Sequence, residues 1–416
     1  MSKRKQRKEE KEKVNKISDV KMAYIIYEKK AFIVPIVVMV ILGAIIWGIV
    51  YNARKDNAPQ ETADNQKEQV NYIWGEIKPG KKNADNYTMV TSADGVQVPV
   101  PTGYTASSAS DENSVNGGFV IYEGTEAVTD SNKWNAQCNR NQYVWIPIAE
   151  VSDMYWRDQT TGKKYGTTYT FTSSSYSKSS SNKYEPQTTK YDIQSTNLTK
   201  YLNGMSREDF LMEMEIDFDK MLNSVATYGG YYIGRYQTGD LSQATPVVKR
   251  INTDIKKQTW YTMWKKARKL SGTSAGVQMI WGIQWDETMK WLIDTGEKTY
   301  SEVAKDSTSW GNYYNNSFTY YTDTSKSTAT KAKSNGTIIP SGAYEGANAN
   351  NVFDLAGNVL DWTLESNVVG IRNVRYNRGG HYGNDGSKYT AAYRHGVNVP
   401  SYSGNTIGLR AALFIK

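Results

Sequence analysis

NVFDLAGNVLDWT, residues 351–363, sets two carboxylates, Asp354 and Asp361, seven positions apart around a Gly-Asn pair, with Trp362 directly behind the second. Three arrangements use such a pattern: a catalytic pair, an oxygen-ligated cation, or a plain turn with both aspartates in solvent. Carboxylates brought close together repel, so one of them holds its proton to higher pH. A hard cation removes that cost, because calcium accepts carboxylates, backbone carbonyls and water together. Trp362 fits a core residue that locks the loop. The choice among the three depends on the rest of the chain.

Toward the N-terminus the 416-residue chain carries one long uncharged run, AFIVPIVVMVILGAIIWGIVY, residues 31–51. At about 1.5 Å per helical residue it covers the roughly 30 Å hydrocarbon core of a bilayer. Its proline, Pro35, stands near the start, where a helix tolerates it. A cleavable signal peptide has an apolar core of about 7–15 residues ending in small side chains, and this run matches neither feature. The expectation is one transmembrane helix. Residues 1–30 hold eleven Lys and Arg against five acids, so +6 of the formal +8 lies there. Basic clusters beside a span stay cytoplasmic and attract anionic lipid headgroups. That topology explains the charge without a nucleic-acid partner. It predicts a single-pass plasma-membrane protein with residues 1–30 inside and 52–416 outside.

Residues 52–83 are polar and mixed in charge, apart from Tyr72, Ile73 and Trp74, which predicts an extracellular linker before an ectodomain at 84–416. Cys138 is the only cysteine, so no internal disulfide can form. The runs VQVPVPTGY, GGFVIYEG and NQYVWIPIAE alternate and are punctuated by Gly and Pro, which marks short strands. Residues 157–200 are rich in Ser, Thr, Lys and Tyr with few aliphatics, which predicts a low-complexity surface insertion. From Ser206 the pattern becomes helical, with a Ser cap, early acids, and Phe210, Leu211, Met214, Phe218, Met221 and Leu222 near helical spacing. GGYYIGRYQTG predicts a strand. TWYTMWKKARKL and WDETMKWLIDTG predict two further helices, with Trp260, Trp264, Trp285, Met289 and Leu292 in the core. Beyond residue 300 the strands shorten and Gly, Asn, Ser and Tyr dominate. The class is α+β, with few helices and much ordered loop.

Two motifs carry little catalytic weight. GTSAG, residues 272–276, matches a nucleophile elbow, but that elbow needs a strand before it and a helix after it. Here a predicted helix precedes and VQMIWGIQW, a strand candidate, follows. His381 and His395, with a distant Cys138, make a poor zinc set. No phosphate-binding loop of the G-x-x-x-x-G-K-[ST] type is present.

The ordered series QYVWIPI, GGYYIGRYQTG, WGIQWDETMKW, SWGNY, NVFDLAGNVLDWTLE, RGGHY, AAYR and GLRAALFIK resembles the formylglycine-generating enzyme, or sulfatase-modifying-factor, family, whose domain is a variant of the C-type lectin fold. The resemblance spans about residues 140–416, and 84–140 is similar to a strand extension of exported Gram-positive relatives. It implies a calcium loop with Asp354 and Asp361 as carboxylate ligands and Gly357 and Val359 as carbonyl ligands. In oxidising members a cysteine pair between RGG and YR binds copper. Here that interval, RGGHYGNDGSKYTAAYR, has no cysteine. Thiolates are the soft ligands that select Cu(I). Neither copper nor formylglycine generation is therefore expected.

The C-terminal segment is also similar to the variable receptors of diversity-generating retroelements, members of this fold that change their C-terminal residues to bind different ligands. That likeness implies a binding surface of His381, Tyr382, Asn384, Lys388, Tyr389, Tyr393, His395 and Tyr402, a Tyr-rich polar mix suited to recognition. The expected function is a lectin-like, membrane-anchored binding module for an extracellular glycan, protein or phage. The alternative is an extracytoplasmic enzyme of unidentified reaction using metal at His381 and His395, and a structural envelope role is a third.

Protease added to intact cells is expected to remove residues beyond about 60 and to leave the N-terminus protected, given the charge step across the span. An N-terminal tag digested from outside would reverse the topology.

Overall fold

Alternation along the strands sends their side chains to two separate cores. In the computed structural model, which describes residues 74–188, 192–326, 329–332, 336–367 and 374–416, one sheet has six antiparallel strands. They are β1 (Tyr104–Ala106), β2 (Val120–Glu123), β3 (Gln142–Pro147), β4 (Gly230–Gly234), β5 (Ala275–Met279) and, from the end of the chain, a strand at Ala411–Ile415. A second sheet contains β6 (Leu360–Asn367), β7 (Val374–Arg378), β8 (Arg394–Asn398) and β9 (Ile407–Leu409), in the order β8-β7-β6-β9, with β6 and β9 parallel. The strand at 411–415 is β10, and the larger sheet runs β5-β10-β4-β3-β2-β1.

Val144 and Ile146 of β3, with Tyr231 and Ile233 of β4, face the helices; Tyr143, Trp145 and Tyr232 face the other way with Leu413. That second face is closed by Val98 and Val100 of the hairpin formed by Tyr87–Thr91 and Gln97–Pro101. The segment before residue 140 thus seals the back of the sheet.

Among the described residues six α-helices follow chain order: α1 (Lys133–Asn139), α2 (Ser195–Leu202), α3 (Arg207–Tyr228), α4 (Trp260–Arg268), α5 (Gly282–Asp294) and α6 (Tyr300–Ala304). Ser206 caps α3 by accepting from Asp209 N, and Gly229 ends it in the left-handed conformation at φ 83°. Trp260 and Trp264 of α4 are fully buried and stack with centroids 6.0 Å apart, Phe210 packing edge-on against both. Helix α5 begins three residues before the expected Trp285, within a stretch that sequence alone assigns to a strand. The cause is capping. Gln284 Oε1 accepts from Trp281 N at 3.1 Å, and the Glu185 carboxylate accepts from Gly282 N (2.7 Å) and Ile283 N (2.6 Å). GTSAG runs from the turn after α4 into the first two residues of β5, with Ser274 Oγ donating to the Thr102 carbonyl rather than facing a base.

Glu185 belongs to the stretch 157–200, which is not a surface insertion. Tyr165, Tyr169 and Leu198 are buried there. Buried charge is paired: Lys164 Nζ with Asp219 at 2.6 Å, and Asp192 with Arg375 at 2.8 Å. Composition underestimated this stretch because tyrosines and ion pairs, rather than aliphatics, fill its interior. The predicted linker also ends early, since Trp74 and Ile77 already pack on the larger core. The predicted span at 31–51 lies outside the described residues; among those described, no helix is long and apolar enough to cross a membrane.

Candidate functional site

The loop that carries the two aspartates is a run of left-handed backbone. Asn350, Asn351, Asp354, Gly357 and Asn358 all have φ between 43° and 75°, the region that Asn, Asp and Gly enter at least cost. At Gly357 a Cβ would lie 2.3 Å from the Asn312 carbonyl oxygen, so no other residue fits. Asn358 then acts as a clasp. Its Nδ2 donates to Gln237 Oε1 (3.0 Å), while its Oδ1 accepts from Asn312 Nδ2 (3.1 Å) and Ile339 N (3.2 Å). Gly357 N donates to the Gly379 carbonyl at 2.7 Å. The motifs YQTG, SWGNY, FDLAGN and RGG therefore meet at one buried point.

Arg410 of GLR enters the same point and is wholly buried. Its Nε donates to Asp361 Oδ2 (3.2 Å), and its Nη2 to the carbonyls of Phe353 (2.8 Å) and Asp354 (3.1 Å). Asp354 Oδ2 accepts from Gly342 N (2.7 Å) and Ser341 Oγ (3.0 Å). Burial raises the carboxyls of both aspartates, that of Asp361 to about 6. One oxygen of each, Asp354 Oδ1 and Asp361 Oδ1, is buried without a hydrogen-bond partner. Two orphaned carboxylate oxygens are the donor chemistry that a hard cation takes. The Val359 carbonyl already accepts from Gln237 Nε2 at 2.7 Å, which leaves it one lone pair. The residues present thus fit calcium, with Arg410 supplying part of the positive charge. Among the described residues no group of three His, Cys, Asp or Glu could hold a metal.

Beyond RGG the chain forms a face of rings. Tyr389 lies edge-on to Tyr393 at 5.0 Å, and His395 is 6.2 Å from Tyr389 and 6.3 Å from Tyr393. His381 packs against Tyr382 at 5.5 Å. Burial and the neighbouring His395 push His381 down to about 4, and burial alone lowers His395, so both imidazoles are neutral near neutral pH. His395 Nδ1 is buried and unpartnered. The remaining predicted residues behave differently. Asn384 Oδ1 accepts from His381 N (3.0 Å) and shapes the loop, whereas Lys388 stands in solvent, 3.8 Å from Asp385. Tyr402 is exposed and lies over Gly404, outside the ring cluster. Tyr314, omitted by the sequence reading, is exposed and joins this loop through its N–H to the Asn384 carbonyl (3.2 Å).

Beneath the rings is a closed set of charges. Asp286 of α5 accepts from Arg378, from Arg394 and from Tyr169 N; Glu365 of β6 accepts from Arg394 Nε at 2.9 Å and lies 3.5 Å from Arg378. Trp285 Nε1 donates to the Ala391 carbonyl (2.9 Å), and Tyr313 OH to the carbonyls of Gly379 (2.9 Å) and Tyr389 (2.8 Å). These bonds fix the backbone on which the rings stand. Glu185, buried beside Glu365, is pushed up to about 8 by burial first and by the Glu365 carboxylate second; its two amide bonds pull only part of the way back.

The sulfatase-modifying factor enzyme 1-like domain family matches residues 97–415. This chain belongs to that family. Among solved structures, CarF is similar at 16% identity, over 45% of this chain and 87% of its own, with a TM-score of 0.30. Treponema denticola variable protein 1 is similar at 13% identity, over 44% of this chain and 84% of its own, with a TM-score of 0.28. No curated protein matches in sequence. In this member of the sulfatase-modifying factor family, the single thiol, Cys138, sits half-buried on α1, where burial raises its pKa. Sequence reading missed Glu185, Gln237 and Asn358 as organising residues. GLR and YQTG were visible as motifs, but nothing local assigns partners to their side chains.

Glu185 makes stability depend on pH. Its folded value of about 8 exceeds the unfolded value of about 4.3, so the folded state holds a proton that the unfolded chain releases between them. Stability should fall as pH rises toward 8, with Glu287, pushed up to about 7 by burial, adding to the fall. The histidines act oppositely but below about 6.5. Urea midpoints at about pH 7 and about pH 8.5 should differ less for Glu185→Gln than for the natural protein. Equal declines would remove this assignment.

Proposed function

We propose that this chain is a membrane-anchored, non-oxidising member of its family whose ring-lined face binds an extracellular ligand. The observation that carries the reading is the Tyr389–Tyr393–His395 cluster standing on a backbone fixed by buried bonds from Trp285 and Tyr313. Tyrosine brings a large rigid contact area at low entropic cost, and neutral imidazole adds adaptable hydrogen bonding. The cysteine-free interval between Arg378 and Arg394 argues against copper-dependent oxidation, because none of its residues is a thiolate. The charge step across residues 31–51 supports exposure of this face outside the cell. Replacing Tyr382, Tyr389 and His395 together by Ala should abolish adhesion of the full chain to its target glycans or cells while lowering Tm by only a few degrees. A triple variant that unfolds would make these residues framework and end the reading.

Calcium in this proposal is structural. Asp354 and Asp361 would hold it through their carboxylates, Gly357 and Val359 through carbonyls, and its charge would offset two buried carboxylates. Millimolar calcium is expected to raise Tm, and Asp361→Asn to weaken that gain by removing one formal charge from a hard-cation site. Melting curves that coincide with calcium and with chelator would eliminate the ion.

A further inference from the structure

At the β5 edge of the six-stranded sheet, beside α3 and away from the residues of the ring-lined face, lies a cavity of about 710 Å³. That volume falls within the roughly 300–1,000 Å³ of small-molecule sites. Its walls come from the segment around residues 81–86, the second half of α3, and strands β5 and β10. The floor is built by an unusual pairing. Gly276 has no side chain, and the ring of Phe414 on the neighbouring strand lies across it, where a Cβ would meet the ring at 2.4 Å. Tyr228 supplies a second aromatic surface.

The polar groups of this cavity lean one way. Lys81 and Lys220 bring two ammonium groups and Lys416 a third that donates to the Gly272 carbonyl, while its side-chain carboxylate, Asp217, is already neutralised by Arg268, whose guanidinium also stacks 3.8 Å above Trp264. Gln278 lines the cavity, is 2% exposed, and its Nε2 has no hydrogen-bond partner. A buried donor without an acceptor is costly, and a ligand oxygen that accepts from it removes that cost. The hydroxyls nearby are committed: Ser224 Oγ donates to the Ile415 carbonyl (2.8 Å), and Thr227 Oγ1 accepts from Gly80 N (2.8 Å). The C-terminal turn of α3 adds partial negative charge at this end, and the ammonium groups outweigh it.

We propose that this cavity binds an anionic saccharide, a sugar carrying a carboxylate of the uronic acid type. The ring faces of Tyr228 and Phe414 offer platforms for the C–H face of a pyranose. Asn223 and Gln278 present amides to its hydroxyls, and the lysines meet its charge. A lipid chain would strand these amides, and a bare phosphate would leave the aromatic walls uncovered.

The test is calorimetric titration of the purified full chain with trigalacturonate, with maltotriose and inorganic phosphate as controls. Trigalacturonate should bind, and maltotriose should bind weaker by about tenfold or more, since a charge-assisted bond contributes about 1.5–3 kcal/mol. Lys220→Gln, an exposed change that leaves the fold intact, and Gln278→Glu, of equal size but opposite preference, should each weaken trigalacturonate by a similar factor. Tyr389→Ala on the ring-lined face should not change it, which separates this site from the function proposed above. Absence of trigalacturonate binding, binding unaffected by Lys220→Gln, equal binding of maltotriose, equal binding of phosphate, or loss of binding in Tyr389→Ala would each overturn the proposal.

Discussion

The guanidinium of Arg410 is the point at which the two sheets are tied together. It leaves the link between β9 and β10, crosses to the Gly234 carbonyl at the end of β4 (2.9 Å), and reaches the carbonyls of Phe353 and Asp354 and the Asp361 carboxylate. Five donors in a rigid fork suit this task, and a lysine could not perform it. A residue so placed serves strand pairing in one sheet and loop conformation beside the other at the same time. The left-handed run from Asn350 to Asn358 persists because it is over-determined from outside by Arg410, Gln237 and Asn312, as strained backbone requires.

The same logic recurs at three other buried arginines and at the half-buried Arg394. Arg235 pairs with Glu112 at 2.6 Å and with Asn351 at 2.9 Å, so the segment between β1 and β2 is fastened to the 351–363 loop. Arg375, Arg378 and Arg394 fasten Asp192, Asp286 and Glu365. Such pairs contribute little net energy relative to apolar packing, but loss of one partner leaves a buried charge and costs about 3–5 kcal/mol. Their effect is specificity: each joins segments far apart in sequence, and only one chain arrangement satisfies all of them.

Much of this was legible residue by residue. Ser206 marked a helix start, and the Trp260–Trp264 spacing marked a buried face. These signals are local, so the sequence displays them directly. The start of α5 was not legible, because its cap comes from Glu185, ninety-seven residues earlier. Nor was the interior of 157–200, where Lys164 and Asp192 are buried only by virtue of partners on α3 and β7. A polar residue announces its chemistry in the sequence but not its partner. For the candidate site, the ring residues from 389 to 395 were visible as a cluster of types, whereas the isolation of Tyr402 followed from the course of the chain.

One feature of the larger sheet bears on how the molecule is made. Strand β10, at 411–415, lies between β4, at 230–234, and β5, at 275–279. A nascent chain that has reached residue 400 therefore has a sheet with an empty central lane, and the unsatisfied edges of β4 and β5 face each other across it. Pairings of such long sequence separation form late and slowly. Until β10 arrives, those edges are open to the wrong strand, including one from another copy of the chain. The order of synthesis thus makes β10 the last strand to enter the larger sheet, and a polypeptide held open until then stays threadable.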